Sequence, residues 1–282
     1  MMDRLGFSFL YFAPHITTAH EPWFARLREH GYACAELPIV EATDQEIEWL
    51  RRTCEREGLA RSCVGFALPG SSPIAADRAE RDAAVAHLAR LCEKAQALGA
   101  DLVAGPMHSA YGVWTEQPPT GDERARCIEV LQRAGEHAAR CGVRLAIEPL
   151  NRFESYFLNT AADCAALVRS VAHEHVVAAL DTHHAHIEEV DIATAIRESA
   201  DVLGHVQLSE NHRGTPGTGQ VKFDEVLACL DAVDYQGWLV VEAFSRQDPA
   251  FGSQLRIWRD LDAGPESVLA AGAALTHLLP RS

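Results

Sequence analysis

The chain has 282 residues, and 25 basic against 40 acidic side chains leave a formal charge of −15. A field of that sign repels phosphate, which excludes nucleic acid and anionic membrane as partners. At 48% hydrophobic and 23% charged residues the composition is that of a folded globular chain, and no run of about 18 apolar residues is present to span a bilayer. In chain order, the opening MMDRLGFSFLYFAPH carries an apolar stretch too short for a signal peptide and no small-residue cleavage site. It contains the first of eight apolar runs, 6–12, 32–38, 60–68, 101–106, 143–149, 176–181, 204–210 and 238–244, which we read as strands. Segments with helical spacing of Leu, Ala, Val and Ile follow them at 21–30, 43–57, 75–98, 121–140, 160–171, 189–199, 223–233 and 265–279. Thr43-Asp44 with Glu46, Asp122-Glu123 and Thr160 mark helix starts, and Gly31, Gly58, Gly99 and Gly142 mark helix ends.

Strands alternating with helices give a parallel sheet, and eight such units in a chain of this length predict an α/β fold closed as a (β/α)8 barrel. No Pro/Gly/Ser-rich linker divides the chain, so one domain over 1–282 is expected. Only Lys94 and Lys222 are lysines, one in an amphipathic helix and one after a glycine loop, and no Gly-Lys-Ser/Thr occurs. Schiff-base chemistry and a phosphate-binding Walker loop are therefore poorly supported. The eight cysteines form no C-x-x-C pair, which favours free thiols in a reducing cytoplasm over a zinc or disulfide framework.

Active sites of barrels lie at the C-terminal ends of the strands, so the polar residues closing the runs are the informative ones. The fifth run ends in Glu148, the sixth in Asp181 and the eighth in Glu242, and the seventh carries Gln207 with Glu210 just beyond. Any one of these reads equally well as a cap or a solvated turn. Four consecutive strands doing the same point to one acidic mouth, where close carboxylates repel unless a cation neutralises them. Carboxylate and amide oxygens suit Mg2+ or Mn2+, with Co2+ as a further option. The HHAH run at 183–186 is read as a polar loop that brings one histidine, His184, to the mouth.

With those residues in view the sequence resembles the D-tagatose 3-epimerase, or ketose 3-epimerase, group of the xylose-isomerase-like barrels. The resemblance spans most of the chain through IEPLNRFESYFLNT (147–160), LDTHHAHIEEVDIATAI (180–196), GHVQLSENHRGTPGTG (204–219), DYQGWLVVEAF (234–244) and IWRDL (257–261). It implies Glu148, Asp181 and Glu242 as metal ligands, Glu148 and Glu242 also as the catalytic pair, and Glu154, His184 and Arg213 as substrate contacts. The fourth ligand of that family is a His, and Gln207 stands in its place. His205 faces the same way one layer away. Gln207 coordinates through its amide oxygen in this reading, as in the similar HVQ run of hydroxypyruvate isomerases.

The expected activity is inversion at carbon 3 of a free ketose, a small-molecule sugar, by two glutamates on opposite faces, with Mn2+ as the ion. The alternative is an aldose–ketose or hydroxypyruvate-type isomerase on the same metal site, which Gln207 favours. A phosphorylated substrate held by Arg213 and Arg246 ranks below a neutral sugar. An abasic-site endonuclease conflicts with the charge, and a sugar-binding barrel without catalysis conflicts with the three carboxylates. Phe9, Tyr11, Phe66, His108, Tyr111 and Trp114 are read mainly as core or rim packing, with one or two shaping the pocket. The resemblance also implies a homodimer or homotetramer.

Overall fold

A computed structural model describes residues 4–278. Eight parallel strands close into a barrel in sequence order, β1 (Leu5–Ser8), β2 (Cys34–Pro38), β3 (Ala60–Val64), β4 (Leu102–Gly105), β5 (Arg144–Ile147), β6 (Val176–Asp181), β7 (Leu203–Ser209) and β8 (Leu239–Glu242). Closure comes from β1 on β8, with Leu5 opposite Leu239 and Phe7 opposite Val241. Between the strands lie α1 (Pro22–Glu29), α2 (Asp44–Glu57), α3 (Arg78–Leu98), α4 (Gly121–Cys141), α5 (Ala161–Val171), α6 (Thr182–Glu188), α7 (Ile192–Ser199) and α8 (Phe223–Ala232). The short α9 (Pro249–Gln254) and then α10 (Pro265–Ala274) follow β8. Among the described residues no helix is long and apolar enough to cross a membrane.

The local signals explain these boundaries. Thr43 and Thr120 close reciprocal capping boxes with Glu46 and Glu123, which satisfies amides that the first turn leaves unpaired. Gly58, Gly99 and Gly142 end α2, α3 and α4 in the left-handed conformation, where a side chain would be strained. Three expectations change. The HHAH run is not a loop but α6, started by Asp181, whose side chain accepts from the His183 N–H. The segment expected as one helix over 189–199 begins only at Ile192, because Asp191 caps a separate helix there. The last helix stops at Ala274 and passes into a 3-10 turn at 275–278; residue 279 lies outside the described residues.

The barrel interior is divided. Strand register puts Leu102, Ala104, Ala146, Val177 and Ala179 on one inner arc, where they form their own small apolar cluster across β4, β5 and β6. The other arc is polar, with Ser8, Glu36, Ser62, His205, Gln207, Ser209 and Glu242 all buried. Barrel interiors are dominated by branched apolar residues, and burying polar groups costs free energy unless they are paired. A half-polar interior is therefore the feature of the fold that most needs a functional reason. The main core lies outside the barrel, between strands and helices, around residues such as Phe24, Leu50, Leu88 and Leu131.

Candidate active site and metal centre

The strand ends deliver Glu148, Asp181, Gln207 and Glu242 to one buried cluster, each no more than 5% exposed. Glu148 follows β5, and its backbone N–H donates to the Gly105 carbonyl at 3.1 Å. Gly105 has φ +137°, and a Cβ there would fall 2.0 Å from the Gly65 carbonyl oxygen, so this junction of β3 and β4 admits only glycine. Asp181 and Gln207 are register partners on β6 and β7.

Arg213 ties the cluster together. Its Nη2 donates to Asp181 Oδ2 at 3.2 Å and to Glu242 Oε2 at 3.3 Å, and its Nη1 lies 3.5 Å from Glu154 Oε1. Its carbon centre stands 4.6 Å from the Phe244 ring, a cation–π contact. Arg213 has φ +59°, a conformation unusual for a side-chain-bearing residue. His184 is buried on α6 with Nε2 3.5 Å from both Glu148 Oε1 and Asp181 Oδ2. The Asn151 backbone N–H donates to its Nδ1 at 3.0 Å. Its Nε2 also lies 3.0 Å from Arg213 Nη2. Burial, and then that guanidinium, lower its pKa to about 3, which keeps the ring neutral.

The acids respond to this environment in opposite ways. Burial pushes the Glu148 carboxyl well above the usual range, and the charges of Glu242 and Asp181 add to the effect. Burial does the same to Glu242, although Arg213 opposes it. Burial also acts upward on Glu154, but Arg213 and His183 outweigh it and hold that carboxyl well below its ordinary value.

Glu148, Asp181 and His184 each offer a ligand atom within 4.8 Å of the others, as do Glu154, His183 and His184. Gln207 Nε2 donates at 3.1 Å to both Glu242 Oε1 and Glu36 Oε1, while Gln207 Oε1 is buried with no hydrogen-bond partner. A buried carbonyl oxygen without a donor, beside carboxyls that repel one another, is the environment a divalent cation satisfies. The residues present therefore fit a metal ion.

The seven site residues expected from sequence thus meet at one place. Glu210, by contrast, is a loop organiser: it is fully buried and accepts the backbone N–H groups of Asn211, Gly217, Gln220 and Val221. Arg246 pairs with Asp260 at 3.5 Å. Sequence reasoning missed two residues. Asn151 donates to Glu154 Oε1 at 2.8 Å and holds His184, so the NRFE element works as a bracket for two site residues. Glu36, on β2, contacts Gln207 from within the barrel. Its only signal was a charge inside an apolar run.

Above the cluster opens a cavity of about 330 Å3 lined by Tyr111, Phe153, His183, Arg213, Phe244 and Trp258 among others. Phe9 and Tyr11 are core, whereas Trp114 is 49% exposed. Phe66 packs edge-on against Tyr111 at 6.4 Å.

Residues 24–263 match the family model of the xylose isomerase-like TIM barrel. An L-ribulose 3-epimerase of Mesorhizobium japonicum is 34% identical over 264 residues, 92% of this chain and 88% of the relative. A D-psicose 3-epimerase with D-tagatose from Clostridium cellulolyticum H10 superposes with a TM-score of 0.88 at 26% identity, covering 97% of both chains. The structure of an L-ribulose 3-epimerase gives 0.90 at 28% identity, covering 98% of this chain and 93% of the other. Fold, strand-end carboxylates and relatives agree: the chain belongs to the xylose isomerase-like TIM barrel family, among its ketose 3-epimerases.

Proposed function

We propose that this protein is a metal-dependent epimerase that inverts carbon 3 of a free ketose, with Glu148 and Glu242 as its paired acid and base. The observation that carries the reading is that pair: two buried carboxyls, one following β5 and one ending β8, in one cluster with Asp181, His184 and Arg213. A carboxyl can return a proton to carbon while its deprotonated partner accepts one. Glu148, Asp181, Gln207 and Glu242 would hold the ion; their oxygen donors suit Mg2+ or Mn2+, with Co2+ as a further option, and Mn2+ is the ion proposed. When bound, the ion supplies Lewis acidity toward the carbonyl and neutralises negative charge on the sugar oxygens.

The chain's own residues account for the proton traffic. One glutamate carboxylate takes the hydrogen on carbon 3 as a proton. The carbon–hydrogen electron pair becomes the double bond of an enediolate between carbons 2 and 3. The other glutamate, in its carboxyl form, delivers its proton to the opposite face of carbon 3, which inverts the centre. From the exchanged protonation states the pair is set for the reverse inversion, and proton exchange with water resets the two carboxyls for the next turnover in the same direction. Arg213 and neutral His184 bind the oxygens near the carbonyl, and Glu154, held ionised, anchors Arg213.

The test is incubation of Mn2+-loaded protein with fructose, tagatose, psicose, ribulose and xylulose in deuterated water. Deuterium at carbon 3 together with the 3-epimer is expected for at least one sugar. Exchange at carbons 1 and 2 without inversion would select an isomerase instead, and no exchange with any sugar would remove the reading. The cysteines are free, which supports a reducing cytoplasm. Phe153 and Trp258 beside the cavity are each 71% exposed, apolar surface that supports a homodimer or homotetramer; a monomer in light scattering would count against it.

A further inference from the structure

The polar arc of the barrel interior contains one further buried carboxylate outside the strand-end cluster, Glu36. Glu36 is fully buried, and no Arg or Lys pairs with it among the described residues. Its partners come from two strands, β3 and β7. Gln207 Nε2 donates to its Oε1 at 3.1 Å and Ser62 Oγ to its Oε2 at 3.3 Å. His205 Nε2 lies 2.8 Å from Oε2, an ion-pair distance at an angle outside hydrogen-bond geometry. His205 and Gln207 are two apart on β7, so one carboxylate spans two layers of the interior. Such a buried acid costs free energy, so its retention calls for a role.

The Gln207 amide supplies one. An amide has two ends of similar size, and nothing in its shape decides which points where. Here the choice is set by charge. With its nitrogen toward Glu36 Oε1 and Glu242 Oε1, each at 3.1 Å, the group donates twice; reversed, its oxygen would face two carboxylate oxygens. Held this way, the oxygen is the end left without a protein partner. Glu242 is itself expected to ligate the ion, so its contact with the amide competes with that task. Glu36 sits outside the proposed ligand set and remains available as a fixed acceptor.

We propose that Glu36 is a positioning residue: it locks the Gln207 amide so that the oxygen, not the nitrogen, is presented to the cation. This is the complement that a glutamine requires and a carboxylate ligand does not, since both ends of a carboxylate coordinate. The inference rests on the reading of Gln207 as a ligand, and the experiment separates the two.

Binding of Mn2+ alone is measured from the electron paramagnetic resonance of the free aqueous ion, with no turnover involved. Partners that orient metal ligands are worth about 10–100-fold in affinity. Glu36→Gln is therefore expected to weaken Mn2+ binding at least about tenfold. Glu36→Asp keeps the charge but withdraws the acceptor by one methylene, and is expected to show a comparable loss. Gln207→Leu should weaken binding as well, and adding Glu36→Gln to it should cost nothing further, because a residue that acts only through Gln207 has nothing left to position. A full-sized Glu36→Gln effect in the Gln207→Leu background would show that Glu36 acts merely through its charge and would overturn the proposal. So would Glu36→Asp or Glu36→Gln binding Mn2+ within twofold of the parent, in which case the ligand reading of Gln207 stands. Unchanged binding in Gln207→Leu would remove that reading and the proposal with it. A lowered melting temperature with unchanged Mn2+ affinity marks a purely structural role and also overturns it.

Discussion

Replacing Arg213 by methionine removes the cation that the metal-free cluster relies on while keeping an unbranched side chain beside Phe244. In the structure one guanidinium nitrogen serves Asp181 Oδ2 at 3.2 Å and Glu242 Oε2 at 3.3 Å. Unit charges at such distances interact by about 5 kcal/mol per pair at an effective dielectric of 20, before desolvation is counted. Removing one partner of a buried pair costs about 3–5 kcal/mol net. The lower figure applies here, because Glu148 and Glu242 already have raised pKa values and can take a proton once the arginine is gone. At roughly 2 °C per kcal/mol for a chain of this size, the metal-free variant should melt about 6 °C below the parent. The parent offers Mn2+ carboxylates that Arg213 already engages, whereas the variant offers them free. Mn2+ should therefore raise the melting temperature of the variant more than that of the parent, and the gap should narrow. The assay is thermal unfolding by circular dichroism at pH 7.5, with chelator and with saturating Mn2+. An equal gap in both conditions would refute the electrostatic argument and assign the loss to packing on Phe244.

Three further outcomes are expected. Glu148→Gln and Glu242→Gln should each lower carbon-3 exchange by about 10²–10⁴-fold, the usual worth of a general acid or base, while Mn2+ still binds; near-normal turnover in either would remove the two-base scheme. Gly105→Ala sets a Cβ against the Gly65 carbonyl, a backbone atom that cannot step aside, and should destabilise the fold by about 3 kcal/mol, in the range of a strained or overpacked core; a melting temperature within 1–2 °C, roughly within error, would contradict the contact. His87 has its pKa lowered from 6.5 by burial, although its hydrogen bond to the Phe66 carbonyl opposes this. The unfolded chain then binds the proton first, so this stability is present above pH 6.5 and is lost as the pH falls through the folded value. His87→Gln should flatten the decline in urea midpoint between pH 7 and pH 5, and an unchanged slope would show that other groups carry it.

The barrel and its mouth were legible because both leave periodic marks. Eight apolar runs with helices between them state the topology, and Glu148, Asp181 and Glu242 each end a run. β6 coincides with its run and β7 equals its run in length, whereas the other six strands are shorter, since residues such as Phe9 and Phe66 leave the ladder while staying in apolar surroundings. The HHAH run misled because polar residues hide a helix started by the Asp181 side chain. Glu188 and Glu189 within the adjoining element do local work, one paired with Arg152 and the other accepting from the Ala161 N–H. Glu36 was out of reach for a different reason. Its partners lie 26, 169 and 171 residues away, and only strand register, which sequence spacing does not carry across so many loops, brings them to one carboxylate.

The two unlike arcs inside the barrel bear on the order in which the molecule assembles. β4, β5 and β6 share an inner arc of backbone ladders and small apolar side chains, with buried charge only where the strands end, at Glu148 and Asp181. The ladder that joins β8 to β1 unites the two ends of the chain, and closing it encloses Glu36, Gln207 and Glu242. The longest-range contact is thus also the one that encloses the acid load. Closure is then the step expected to respond to protons and cations, and backbone amides of the seam between β8 and β1 are expected to exchange fastest among the barrel strands when both are withheld.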